Sequence, residues 1–125
     1  ENSYNVAKKN GFKSRSRGPK IGYYNFSDID CDFISIHHWM KWYKFGFTRL
    51  MDNLSIEIRN NRMTRGKALN IIKKSNNKPP QSDIGKFCKF VKIEKKKFFE
   101  IAEKHRNKNI WSKKNGVWRL NKYIS

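Results

Sequence analysis

Two clusters of side chains in this 125-residue chain are of the types that do chemistry. The first is His37-His38-Trp39-Met40-Lys41-Trp42-Tyr43-Lys44, which crowds titratable and cationic groups among aromatic rings. On a helix, His37, Lys41 and Lys44 share one stripe beside an apolar seam, and His38 falls on the other side. Adjacent histidines so arranged cannot chelate one metal, and no metal site is expected. His37 and Lys41 are candidates for acid–base or substrate-binding work instead. The competing reading is a core-edge histidine satisfied by a backbone carbonyl.

The second cluster is Arg49, Asp52, Glu57, Arg59, Arg62 and Arg65, which holds four of the chain's eight arginines. Lysine dominates elsewhere: Lys, Asn and Ile make up 48 of the 125 residues, and all three can be encoded with A and T alone. AT-rich coding would produce the lysines unaided. Arginine kept against that drift points to a need for its planar fork, which grips a carboxylate or phosphate through two parallel bonds. Arg49, Arg59, Arg62 and Arg65, with His37 and Lys41, are therefore candidates for the edge of a substrate cleft. The alternative makes Asp52 and Glu57 internal ion-pair partners, Asp52 with Arg59 and Glu57 with an arginine beyond the turn. The residues leave both accounts open.

The elements that must carry these groups read as mainly α. A central helix is expected over Ser27 to Phe45, with Ser27 as N-cap, Asp28 and Asp30 in its first turn and Gly46 as its stop. Ile29, Phe33, Ile36, Met40 and Tyr43 form its seam, and Cys31, Ile34 and Trp42 make a second apolar side. A second helix fits Leu50 to Asn60, closed by Asn61 in the left-handed conformation. Thr64 caps a third over Arg65 to Lys74, with Ala68, Leu69, Ile71 and Ile72 inward and Asn76, Asn77, Pro79 and Pro80 ending it. Ser82 caps a fourth, where Ile84, Phe87, Cys88 and Val91 repeat at helical spacing. Phe98, Ile101, Ala102 and His105 mark a fifth. The last stretch, with Trp111, Val117, Trp118, Leu120 and Tyr123, is too irregular for a helix, shows no strand alternation, and is expected to strap aromatic side chains across the bundle.

Twenty-nine Lys and Arg against 10 Asp and Glu give a net charge of +19. The hydrophobic share of 37% and aromatic share of 14% exclude a disordered basic tail and imply a small core. Residues 1–60 carry +4 and residues 61–125 carry +15, which marks a solvated face or an anion-binding surface. No apolar run approaches the roughly 18 residues of a membrane span. A cytoplasmic location without membrane partners is expected. Cys31 and Cys88 have no CxxC partner and read as buried thiols. Residues 1–26 lack an initiator Met and read as the tail of a truncated α/β domain, with residues 27–125 forming a helical subdomain.

The runs GYYNFSDIDCDFISIHHWMKWYKFGFTR (Gly22 to Arg49) and DNLSIEIRNNRMTR (Asp52 to Arg65) closely resemble the C-terminal part of the bacterial N-acetyl sugar amidotransferase family. DIGKFCKFVKIEKKKFFEIAEKHRNKNIW, from Asp83 to Trp111, is similar to the family's end, so the resemblance covers nearly the whole chain. It implies a C-terminal helical subdomain of an α/β PP-loop enzyme, of the adenine nucleotide alpha hydrolase-like type. Such an enzyme uses ATP and Mg²⁺ to adenylylate the acetamido oxygen of a free or nucleotide-linked sugar acid. Ammonia from separate glutamine amidotransferase subunits then displaces AMP to give an acetamidino group. The products serve LPS O-antigens or flagellar nonulosonic acids.

The family's Ser-Gly-Gly-x-Asp-Ser type loop and its N-terminal cysteine pairs are absent from this sequence. Neither cofactor is expected to bind this chain alone, and its expected partner is the PP-loop portion of the same enzyme. In similar sequences a glycine is usual where Asn61 stands and an acidic residue where Lys67 stands. Lys67 forfeits the capping box with Thr64, which suggests a relaxed or degenerate copy.

The competing class is a small basic nucleic-acid-binding module. Helices near Asp83 to Val91 and Lys95 to Arg106 have helix-turn-helix dimensions, with Lys95, Lys96 and Lys97 placed to meet phosphate. The second helix offers Lys and Glu instead of base-reading Asn, Gln or Arg, so no sequence-specific nucleic acid partner is expected.

Overall fold

The computed structural model describes residues 2–75 and 77–121, which form six helices and one two-stranded sheet. α1 spans Asn2–Lys9, α2 Ile34–Phe45, α3 Arg49–Arg59, α4 Arg65–Lys74, α5 Gln81–Val91 and α6 Lys95–Lys104. β1 (Trp111–Lys114) and β2 (Val117–Leu120) follow, paired antiparallel with Trp111 opposite Leu120. The mainly α reading stands, but the expected aromatic strap is a hairpin. Asn115 and Gly116 sit at its turn with φ of 49° and 77°, so the hairpin is specified by this Asn-Gly pair. Tyr123 and Asn76 lie outside the described residues.

The central helix is shorter than its apolar pattern suggests. Residues 27–33 are bends, irregular backbone and a turn at 32–33, and Asp28 adopts φ 55° in the left-handed region. Ser27 Oγ has no hydrogen-bond partner and caps nothing. The Asp28 carboxylate is taken up by side chains of α2 and α3, leaving no local cap to start a helix at Ser27. Gly46 ends α2 at φ 72°, and its N–H donates to the Trp42 carbonyl. Cys31 is exposed, a correction to the buried-thiol expectation, while Cys88 is buried.

α3 and α4 start where hydroxyls permit. Thr48 accepts from the Met51 N–H and Thr64 from the Lys67 N–H, so each satisfies one free first-turn donor. Asn61 turns the chain between them at φ 55°. α5 begins one residue before the expected cap, at Gln81 behind Pro80, and Ser82 lies inside it with no capping role.

Two cores result. Ile36 and Trp39 of α2 pack with Ile84 and Cys88 of α5 and Phe98 and Ala102 of α6. Leu54 of α3, Met63 of the α3–α4 turn and Ala68 of α4 form the second. Leu69 points outward, 39% exposed, because it lies about 100° around the helix from Ala68. Val91 and Ile101 are likewise surface residues. Among the described residues no helix is long and apolar enough to cross a membrane.

Candidate functional site

A cleft of about 370 Å³ opens where the two cores meet. Its walls are the loop Pro19–Gly22, the α2 face bearing Ser35, His38, Trp39 and Trp42, the start of α3 (Thr48, Arg49, Leu50), and the α4–α5 connection with Ser75, Asn77, Lys78 and Pro80. Gly22 shapes the first wall. Its φ is 79°, and a Cβ there would strike the side-chain oxygen of Asn53 and come within 3.0 Å of Arg49 Cγ. The loop is pinned by the Tyr23 N–H, which donates to Asn53 Oδ1 at 3.1 Å.

The charged groups of the cleft are held by neighbours from other elements. Arg49 Nε donates to Asp28 Oδ2 at 3.2 Å, and His38 Nε2 stands 3.8 Å from the same oxygen. His38 is buried, and its Nδ1 has no hydrogen-bond partner. Burial pushes the imidazole below its ordinary pKa, against the attraction of Asp28. It is therefore a neutral ring near pH 7. Lys20 Nζ donates to the Cys31 carbonyl at 2.7 Å and to Asp32 Oδ1 at 3.4 Å. Trp39 and Trp42 give the cleft an aromatic wall.

Of the sequence candidates, Arg49 alone lines this cleft. His37 is exposed and stacks edge-on against His38. Lys41 donates to Asp52 at 2.7 Å, so Asp52 pairs across to α2 and not with Arg59 as the ion-pair account expected. The reason is distance along the helix: Arg59 lies two turns away, and its Nε reaches only the Ser55 carbonyl in its own turn. Glu57 takes the Arg62 fork on both oxygens, at 2.7 and 2.9 Å, and also accepts from the Tyr24 hydroxyl. The Arg62 bonds first, and then the Tyr24 bond, hold its carboxyl down to about 2. Arg65 is exposed at the start of α4.

Three titratable residues in or beside the cleft escape sequence reasoning: His38 and Lys78 line it, and Asp28 holds Arg49. His38 was separable from His37 only by knowing which side of α2 faces α3. Asp28 was assigned to a helix start, and Lys78 was submerged among 21 lysines.

Neither a phosphate cradle for ATP nor a ligand cluster for Mg²⁺ forms among the described residues. Among the described residues no three of His, Cys, Asp and Glu gather to hold a metal ion. The strands form a hairpin instead of leading through a glycine-rich loop into a helix, the arrangement that cradles phosphates. No step through either group is assigned to this chain.

Comparison with known proteins gives one family. No curated protein matches the chain. The sequence signature described as "LPS biosynthesis protein WbpG-like, C-terminal domain" matches residues 21–125, a span that includes every wall of the cleft except Pro19 and Lys20. The chain belongs to this family of C-terminal domains of WbpG-like LPS biosynthesis proteins, and its role lies in LPS biosynthesis.

Proposed function

We propose that the chain is the C-terminal portion of an N-acetyl sugar amidotransferase, and that its cleft holds the sugar substrate while the acetamido group becomes an acetamidino group. The observation that carries the reading is the placement of Arg49. Asp28 holds its Nε at 3.2 Å, which fixes the guanidinium in a cleft that Trp39 and Trp42 also line. A free or nucleotide-linked sugar acid matches that pairing of cation and aromatic surface. ATP and Mg²⁺ supply the activation of the acetamido oxygen when bound to the PP-loop portion of the same enzyme, and glutamine amidotransferase subunits supply ammonia. This chain's residues bind and orient the sugar, and Trp39, Trp42 and Pro80 limit water around it.

Reconstitution tests the reading. The chain joined to its PP-loop portion and given the amidotransferase subunits, ATP, Mg²⁺, glutamine and an N-acetylated sugar acid should release AMP and pyrophosphate and exchange the acetamido oxygen for nitrogen. An assembly that turns over equally well with Arg49→Ala overturns the substrate role of the cleft.

A further inference from the structure

The charge balance of the cleft leads one step further, and that step rests on the reading of the cleft as a substrate site. Arg49 is already neutralised by Asp28, whose Oδ2 accepts its Nε–H at 3.2 Å. The same oxygen lies 3.8 Å from His38 Nε2, and the His38 side chain is 9% exposed. His38 Nδ1 is buried with no hydrogen-bond partner. Lys20, on the loop wall, donates to the Cys31 carbonyl at 2.7 Å and to Asp32 at 3.4 Å, and Asp32 is shared with Lys86, which stands closer at 2.9 Å. Lys78 is exposed, where water screens it. Asp28, Arg49 and a neutral His38 together carry no net charge. An acid group entering this aromatic-walled space adds one negative charge that Arg49, already paired with Asp28, does not balance alone, in surroundings where charge is costly.

We propose that the cleft takes one carboxylate or phosphate group between Arg49 and His38, and that His38 gains a proton as the acid group enters. Protonated, the imidazole donates from both nitrogens, one toward Asp28 and the other to the acid oxygen, which gives Nδ1 the partner it lacks. Arg49 keeps Nε on Asp28 and offers its terminal nitrogens to the same acid group. The charged and titratable groups around His38 are Asp28 from the turn, Arg49 from α3, and His37 and Lys41 from its own helix. Burial and the neighbouring cations keep the free ring neutral; a bound anion joins Asp28 in favouring the charged form. Affinity is then highest below the pKa of the free ring. Above it, affinity falls by up to about tenfold per pH unit, and it levels off beyond the pKa of the bound ring.

Calorimetric titration of the 125-residue chain with glucuronate, and separately with inorganic phosphate, tests this in buffers of different ionisation enthalpy. Near neutral pH the expected result is uptake of up to one proton per anion bound. His38→Gln should abolish the uptake and His37→Gln should keep it. Tighter binding of glucuronate than of phosphate assigns the site to a carboxylate, and the reverse order to a phosphate. Anion binding with no proton uptake, or with uptake unchanged in His38→Gln, overturns the proposal and leaves the substrate site standing. Failure of both anions to bind overturns the proposal together with the substrate reading. Should His38→Gln not fold, the imidazole ¹⁵N shifts of His38 in the unaltered chain decide: a ring that stays neutral in the glucuronate complex overturns the proposal.

Discussion

The guanidinium of Arg106 lies 3.8 Å from the ring centre of Tyr43, which ties the end of α6 to α2. Trp111 and Trp118 of the hairpin stand 5.0 Å from the same cation. Glu103 accepts its fork at 2.7 and 3.0 Å, so the charge is paired although the side chain is only 6% exposed. Trp111 also donates its indole N–H to the Tyr43 carbonyl at 3.0 Å. The hairpin is held to the bundle through this stacked arginine, the Trp111–Tyr43 hydrogen bond and the edge-on contact of Trp111 with Trp42.

Arg106→Lys should therefore lower stability by about 1–3 kcal/mol, because an ammonium keeps the charge but loses both the fork and the flat stacking surface. Thermal melts followed by tryptophan fluorescence read the loss. An unchanged melting temperature would show that the hairpin docks without Arg106.

Glu57 gives the fold a dependence on acid. Its carboxyl is held down to about 2, first by the Arg62 hydrogen bonds and then by Tyr24. A depressed carboxyl contributes stability that is present above its ordinary range, near 4.5, and is lost as pH falls toward 2. The loss should be roughly 1–3 kcal/mol, reduced from the full linkage value because Arg62 is partly exposed and screened. Denaturant titrations between those pH values should show this loss shrinking in Glu57→Gln; an equal loss in both proteins would remove Glu57 as its source.

Gly22→Ala should damage the cleft more than the fold. The substitution forces a side chain into the left-handed region and onto Asn53, displacing the loop wall. Stability should fall by about 1–2 kcal/mol, and glucuronate binding should be lost in the molecules that remain folded. Intact binding in the folded variant would separate the loop from the site.

Arginines inside and outside the cleft should separate in the assembled enzyme. Arg49→Lys should cut kcat/KM about tenfold with little change in melting temperature, since Lys cannot hold Asp28 and an acid group together. Arg59→Lys and Arg65→Lys, both surface positions, should leave turnover intact. If all three lower activity alike, the arginine cluster acts as a field and Arg49 has no special place.

The lysine-rich half should bind nucleic acid only through charge. Lys86, Lys89, Lys92 and Lys95 line a groove of about 570 Å³ between α5 and α6. Duplex DNA should bind without sequence preference, and its affinity should fall steeply with salt, as counterion release requires. A preference of about 10³-fold for one duplex at physiological salt would instead favour the helix-turn-helix reading.

Much of the local structure was legible because its causes lie within a few residues. Thr64 capping α4, Gly46 closing α2, Asn61 turning between α3 and α4, and the pairing of Glu57 with the arginine beyond that turn all join groups no more than five positions apart. The hairpin escaped because its alternation covers only four residues per strand, too few for periodicity to speak, although Asn115-Gly116 was the available signal.

By itself the sequence determined the helical class, the bounds of α4 and the family, since periodicity and capping act along a contiguous segment. Only the tertiary structure decided that His38 and not His37 faces the cleft, that Asp28 serves Arg49 instead of starting a helix, and that Lys41 answers Asp52. Those relations join residues 10 to 21 positions apart across a turn. Whether such residues meet depends on how α2 and α3 are rotated against each other, which is fixed by burying Trp39 in one core and Leu54 in the other.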